Sequence, residues 1–125
     1  PKEERMFVVE KRKTERIAIF RLDGSLDLVR MMKLRDAIIK VMAEGYLQVI
    51  LDCGFLHSVN AKSLEVLTNT LCRLRRFGGD VSLLGLSAEV EETFRDAGVY
   101  PFFEHYDEER PAREACRLKR LAMAG

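Results

Sequence analysis

Apolar and polar positions change period several times along the chain. A short β-prone run at 6–9 and a second at 17–22 (Ile17-Ala18-Ile19-Phe20-Arg21-Leu22) flank the charged stretch 10–16. Two such runs joined by a polar turn predict a hairpin. Asp23-Gly24-Ser25 is expected to break the second strand, and Asp27 is placed to cap a helix entered at Leu28. From there Met31, Leu34, Ile38, Val41 and Met42 recur at three- and four-residue intervals, which leaves Arg30, Lys33, Asp36 and Lys40 on the wet side. Gly45 ends this helix as a C-terminal glycine cap.

Gln48-Val49-Ile50-Leu51-Asp52 is almost continuously apolar and too short for a helix, which suits a central strand. A loop through Gly54 and Ser58 then leads to a second helix over 61–77, with core stripe Leu64, Leu67, Leu71 and Leu74, closed by Gly78-Gly79. A strand at 81–84 follows. Ser87 opens a third helix with Glu89 and Glu91 in its first turn; Val90, Phe94 and Ala97 form its apolar side, and Gly98 stops it. Phe102 and Phe103 suggest a short last strand before a charged terminal helix from about residue 107. The order β-β-α-β-α-β-α-β-α predicts an α/β fold, with a mixed four- to five-stranded sheet, right-handed crossovers and about four helices. With no internal repeat, low-complexity tract or linker, residues 1–125 are expected to form one domain.

Composition narrows the function classes. Nearly half of the 125 residues are apolar and a third charged, which argues against disorder. The 21 basic and 20 acidic side chains almost cancel, removing the uniform field of a non-specific nucleic-acid binder. No apolar run approaches the roughly 20 residues of a membrane span, and residues 1–5 are charged with no signal-peptide core behind them. The expectation is a soluble, cytoplasmic protein without direct membrane insertion. Cys53, Cys72 and Cys116 are odd in number and widely spaced, so they read as reduced, partly buried thiols rather than disulfide or zinc ligands.

Neither a G-x-x-x-x-G-K-[ST] nor a G-x-G-x-x-G loop occurs, so no cofactor is expected. Cys53 and His57 follow the central strand, where α/β folds often place sites, and admit a thiol-imidazole pair, hence a small enzyme or ligand binder. The other reading is a core cysteine and a solvated loop histidine, and the absence of a family-type signature around Cys53 favours it. Asp52 lacks a second acidic residue with which to hold a cation.

The second helix is most distinctive on its polar side. Lys62, Glu65, Asn69, Arg73 and Arg76 fall at intervals of three or four, opposite the leucines. The third helix carries Glu89, Glu91, Glu92 and Asp96 against Arg95. Two neighbouring helices of opposite charge could dock a complementary partner or simply attract each other in water, and composition alone favours the second reading.

The run Val49-Ile50-Leu51-Asp52-Cys53-Gly54-Phe55-Leu56-His57-Ser58-Val59-Asn60-Ala61-Lys62-Ser63-Leu64-Glu65-Val66-Leu67 resembles the signature region of STAS domains, the family of anti-sigma-factor antagonists and sulphate-transporter tails. Leu22-Asp23-Gly24-Ser25-Leu26-Asp27, Arg75-Arg76-Phe77-Gly78-Gly79-Asp80-Val81, Leu86-Ser87-Ala88-Glu89-Val90 and Phe102-Phe103 extend the likeness over almost the whole chain. The resemblance implies a non-catalytic interaction module like an anti-sigma-factor antagonist, docking through loop 58–63 and helix 61–77. The partner it implies is a serine-kinase type anti-sigma factor or another component of such a system. The family's loop commonly reads Asp-Ser-Ser-Gly-Leu, with the first serine phosphorylated. Anchored on Leu64, this chain has Asn60, Ala61, Lys62 and Ser63 there. Ala61 has no hydroxyl, so the expected charge switch of about −1.5 to −2 is lost at that position. Ser58 and Ser63 are poor substitutes as acceptors, since either would need a gap in the match, and Ser58 or Asn60 suits a helix cap. A scaffold or transport-associated STAS domain with constitutive docking is the alternative. The terminal helix has apolar positions (Ala115, Leu118, Ala122) and a basic set (Arg110, Arg113, Arg117, Arg120), and leaves self-association as a homodimer open.

Overall fold

In the computed structural model, which describes residues 7–124, five strands form one sheet in the order β1-β2-β3-β4-β5. The elements are β1 (Phe7–Arg12), β2 (Ile17–Leu26), α1 (Leu28–Ala43), β3 (Gln48–Val59), a 3-10 turn (Ala61–Ser63) continuing into α2 (Leu64–Arg76), β4 (Asp80–Leu84), α3 (Ala88–Asp96), a 3-10 turn (Tyr100–Phe102), β5 (Glu104–Tyr106) and α4 (Glu109–Ala124). β1 pairs antiparallel with β2, and every later pairing is parallel. This is the mixed α/β sheet with four helices that the alternation predicts. Met6 and the charged residues 1–5 lie outside the described residues.

Alternation of side chains sorts the strands onto two faces. Ala18, Phe20, Leu22, Val49, Leu51, Cys53, Val81 and Leu83 turn to one side, where α1, α2 and α3 cover them with Met31, Leu34, Ile38, Leu64, Leu67, Leu71, Leu74, Val90 and Phe94. The alternate residues Ile17, Ile19, Ile50 and Leu84 turn to the other, beneath Ala112 and Cys116 of α4. The helix stripes expected from spacing are therefore the buried ones. Asp27 caps α1 by accepting from the Arg30 amide at 2.8 Å, and Ser87 caps α3 by accepting from Val90 at 3.2 Å. Gly79 is required by close approach, because a Cβ there would stand 2.2 Å from the Leu47 carbonyl oxygen.

Several boundaries move. Glu10, Lys11 and Arg12 belong to β1 rather than to the turn, since an edge strand can keep charged side chains wet while its backbone pairs with residues 17–19. Asp23-Gly24-Ser25 does not break β2. Register shifts at Arg21/Asp23 and Gly24/Ser25 absorb it, and β2 continues to Leu26. Likewise β3 runs on to Val59 in place of the expected loop, paired through Asp23 with Phe55 and Leu26 with Val59. Phe102 lies in a 3-10 turn and is half exposed, while Phe103 is buried edge-on against Phe94 at 5.6 Å, and the last strand begins at Glu104. Ala97 is an exposed C-cap rather than part of the apolar side of α3. In α4 the buried positions are Ala112 and Cys116, whereas Leu118 and Ala122 face outward, one step around the helix from the expected stripe. Of the three thiols Cys53 and Cys116 are buried and Cys72 is exposed. No helix among the described residues is long and apolar enough to cross a membrane.

Candidate functional site: the edge at the ends of β2 and β3

The two longest strands deliver their helices side by side. Beyond Asp52 and Leu84, where β4 stops pairing, β3 continues against β2 alone. Its inner residues Leu56 and Val59, with Leu26 of β2, enter the core below α1 and α2, whereas Phe55 on the outside is 75% exposed. The Asn60 amide then donates to the Leu26 carbonyl at 2.8 Å, which ties the start of the next turn to the start of α1.

Asn60 organises that turn. Its side-chain oxygen accepts from the Lys62 amide at 2.8 Å, and its carbonyl accepts from the Ser63 amide at 3.0 Å and the Ser63 hydroxyl at 2.6 Å. An asparagine at this position satisfies donors that a helical start leaves orphaned. The consequence for the candidate residues is a clear division. Ala61 and Lys62 are exposed, followed along α2 by exposed Glu65, Asn69, Arg73 and Arg76. Ser63 is fully buried and spent on its hydrogen bond, so it presents no hydroxyl to a partner. Ser58 is half-buried, and its hydroxyl donates to that of Ser25 at 2.9 Å. Glu65 sits in the first turn of α2, and Arg73, Arg75 and Arg76 in its last, each complementing the helix dipole.

Sequence reasoning missed the apolar contribution to this edge. Leu28, Val29 and Met32 of α1 are exposed, Val29 by 64%. They share one side of the helix at intervals of one, three and four, away from the buried Met31-Leu34-Ile38 stripe. Apolar residues that fall off the core stripe were the signal available in the sequence.

Asp52, Cys53 and His57 are not brought together. Strand alternation sends Cys53 into the core, where its thiol donates to the Leu51 carbonyl at 3.5 Å and burial, aided by the Asp52 charge, pushes its pKa up to about 12. His57 is exposed on the outer part of β3. Asp52 points to the α4 side and accepts from Arg21 at 2.9 Å and from the Gly54 amide at 3.0 Å. Arg21 also donates to Glu10 at 2.8 Å and Glu109 at 2.9 Å; these bonds, that to Glu10 foremost, hold its guanidinium charged. Asp52 thus serves an ion-pair cluster. The ion pairs that α2 and α3 make are local: Arg75 donates to Asp80 at 3.1 Å, and within α3 Arg95 donates to Glu91 at 3.0 Å. Among the helices, α2 packs chiefly on α1, and α3 lies over β3.

A sheet with parallel β2 to β5, an antiparallel edge strand and an Asn-capped turn feeding a polar helix defines a small mixed α/β fold. The STAS domain model matches residues 8–112, and the chain belongs to that family. Its fold is that of SpoIIAA, an anti-sigma factor antagonist, in its unphosphorylated form: TM-score 0.73, 21% identity, covering 87% of this chain and 95% of that one. An anti-sigma factor antagonist from Mycobacterium paratuberculosis aligns with TM-score 0.75 and 19% identity over 89% of this chain and 92% of its own. By sequence, the chain is 22% identical over 107 residues to YvdB of Bacillus subtilis strain 168, a protein assigned as a sulfate transporter. The match takes in 81% of this chain but only 20% of the transporter, so the chain spans about a fifth of that relative's length.

Proposed function

We propose that this chain is a non-catalytic docking module, resembling an anti-sigma factor antagonist, that binds a partner regulator through the edge built by residues 58–62 and the exposed side of α2. The observation that carries this reading is the contiguous exposed run from Ala61 and Lys62 through Glu65, Asn69, Arg73 and Arg76, held at its start by the Asn60 cap. Exposed Leu28, Val29 and Met32 on the adjoining α1 supply the apolar centre such an interface needs, and the polar stripe supplies register. The proposed partner is an anti-sigma factor of the serine-kinase type, met in the cytoplasm. The usual phosphoacceptor is replaced at this edge: Ala61 cannot take a phosphoryl group, Ser63 is buried, and Ser58 is held to Ser25.

Lys62→Glu combined with Arg73→Glu tests the surface. Affinity for the cognate anti-sigma factor, measured by calorimetry, should fall at least a hundredfold while the melting temperature stays unchanged. Equal affinity of the double variant rejects the surface. A second reading, a scaffold or transport-associated STAS domain with constitutive, phosphorylation-independent docking, is favoured by the likeness to the transporter and by the missing acceptor, and would use the same edge with a different protein.

A further inference from the structure

The end of the sheet remote from residues 58–62 carries a different surface. The turn 13–16, the C-terminus of α1, the C-terminus of α2 and the C-terminal part of α4 converge there. Arg120 donates to the Thr14 carbonyl at 3.2 Å, Arg16 donates to the Glu44 carbonyl at 3.0 Å, and Arg75 donates to the Phe102 carbonyl at 2.6 Å. Met123 lies against Gly78, where a Cβ would come within 2.7 Å of its terminal methyl. A cleft of about 220 Å³, lined in part by Arg16, Leu47, Gly78, Arg120 and Met123, runs between these segments.

Two properties coincide on this rim. First, large apolar side chains stand in solvent: Phe77 is 63% exposed, Phe102 51% and Met123 65%. Second, three of the cations between them, Arg16, Arg76 and Arg120, have no carboxylate partner among the described residues. The Arg16 guanidinium meets a carbonyl and, at 4.5 Å, the face of the Tyr46 ring; Arg120 meets a carbonyl; and Arg76 has no ion-pair partner among the described residues. The acidic side chains of the rim are already engaged, Asp80 by Arg75 and Lys119, Glu44 by Lys11 at 2.7 Å, and Glu15 by Arg12 and Arg113. The dipole of α2 accounts for Arg75 and Arg76 at its C-terminus. It accounts neither for Phe77 beside them nor for Arg16 and Arg120, which come from other segments.

Apolar side chains set singly among arginines with long apolar stems match the interface of a lipid bilayer, where rings and thioethers enter the headgroup boundary and guanidinium groups stay level with phosphates. A closed apolar groove, as a protein helix would need, is not what these residues form. We propose that this rim is a peripheral docking surface for an anionic lipid membrane, engaged reversibly and by charge. The 58–62 edge and the start of α2 lie at the other end of the sheet and stay open to a protein while the rim is docked; Arg76, the last residue of the α2 stripe, is the one position the two surfaces share.

Co-sedimentation of the whole chain tests this, with vesicles of phosphatidylcholine alone and of phosphatidylcholine and phosphatidylglycerol in equal parts. At low salt the chain should sediment with the mixed vesicles and not with phosphatidylcholine, and the binding should fade as salt is raised. Arg76→Gln with Arg120→Gln should weaken it about twenty-fivefold, at about a fivefold loss for each cation near an anionic surface. Phe77→Ala should weaken it severalfold, and Lys33→Gln on α1 should leave it unchanged. These side chains are exposed, so melting temperatures stay at the parent value. Equal sedimentation with both vesicle types, none with either, or binding that survives the double substitution overturns the proposal. So does binding to single-stranded RNA as strong as that to the mixed vesicles and indifferent to Phe77→Ala, which would mark a general polyanion patch.

Discussion

The two faces of the sheet are covered by different physics. On one, three helices bury leucine, isoleucine, methionine and phenylalanine against Phe20, Leu51 and Leu83. On the other, α4 brings down only two small buried side chains, Ala112 and Cys116, and is held around them by charge. Arg113 pairs with Glu15 at 2.7 Å, Glu109 with Arg21, and Lys119 with both Asp80 and Glu104. Buried polar atoms without a hydrogen-bond partner among the described residues, Gln48 Oε1, Ser82 Oγ and Arg113 Nε, include two on this side's strands and one on α4 itself. Apolar burial has no charge to be screened or titrated, whereas partly exposed ion pairs are neither strong nor indifferent to salt and acid. The fold therefore has a firm face and a conditional one.

The largest break in that comparison comes from the firm side. Leu71→Ala removes a fully buried side chain between α2 and the sheet and should cost about 2–5 kcal/mol in chemical denaturation. A cost below 1 kcal/mol would mean that the three-helix core is not what carries the fold.

Acid should act next, and on the other face. Hydrogen bonds from Arg21 and then Arg12 hold the Glu10 carboxyl below its usual pKa of 4.5, and Arg12 followed by Arg113 does the same for Glu15. A depressed carboxylate stabilises the fold fully above its unfolded value and loses that contribution as pH falls through the folded one. Hydrogen exchange, corrected for intrinsic rates, should thus show α4 amides losing protection from about pH 5 downward before those of α1 and α2. Simultaneous loss would place both faces in one cooperative unit.

The smallest effect is an order of reaction. Cys72 is exposed and should be alkylated at once. Cys116, pushed up to about 11 by burial, should follow when α4 lifts, more quickly at high salt, and Cys53 on the firm face should react last. Mass spectrometry of a time course reads the order, and reaction of Cys53 ahead of Cys116 would invert the comparison.

Much of the firm face was legible in sequence, because helical spacing over 31–41 and 64–74 reflects burial against one surface, and the apolar-rich runs at 17–22, 48–52 and 81–84 mark strands that are covered on both faces. The conditional face was less so. Ala112 and Cys116 are small and interspersed with charges, so the larger Leu118 drew the expected stripe of Ala115, Leu118 and Ala122 to the wrong side of α4. The extension of β2 and β3 was hidden because glycine, aspartate and serine at 23–25 and 52–58 also signal turns, and only long-range pairing decides between the two. At the candidate edge the polar stripe of α2 could be read directly. Burial of Ser63 could not, since it depends on the 3-10 turn that Asn60 sets up.

The overhang of β3 past β4 separates tuning from stability. Residues 53–59 pair on one side only, so lengthening or shortening the two-stranded ribbon would shift the Asn60 turn by about 3.3 Å for each residue without disturbing the register of β3 with β4. The ribbon is a ruler. A change in its length alters how far the Asn60 turn stands from the sheet and leaves the sheet beneath intact.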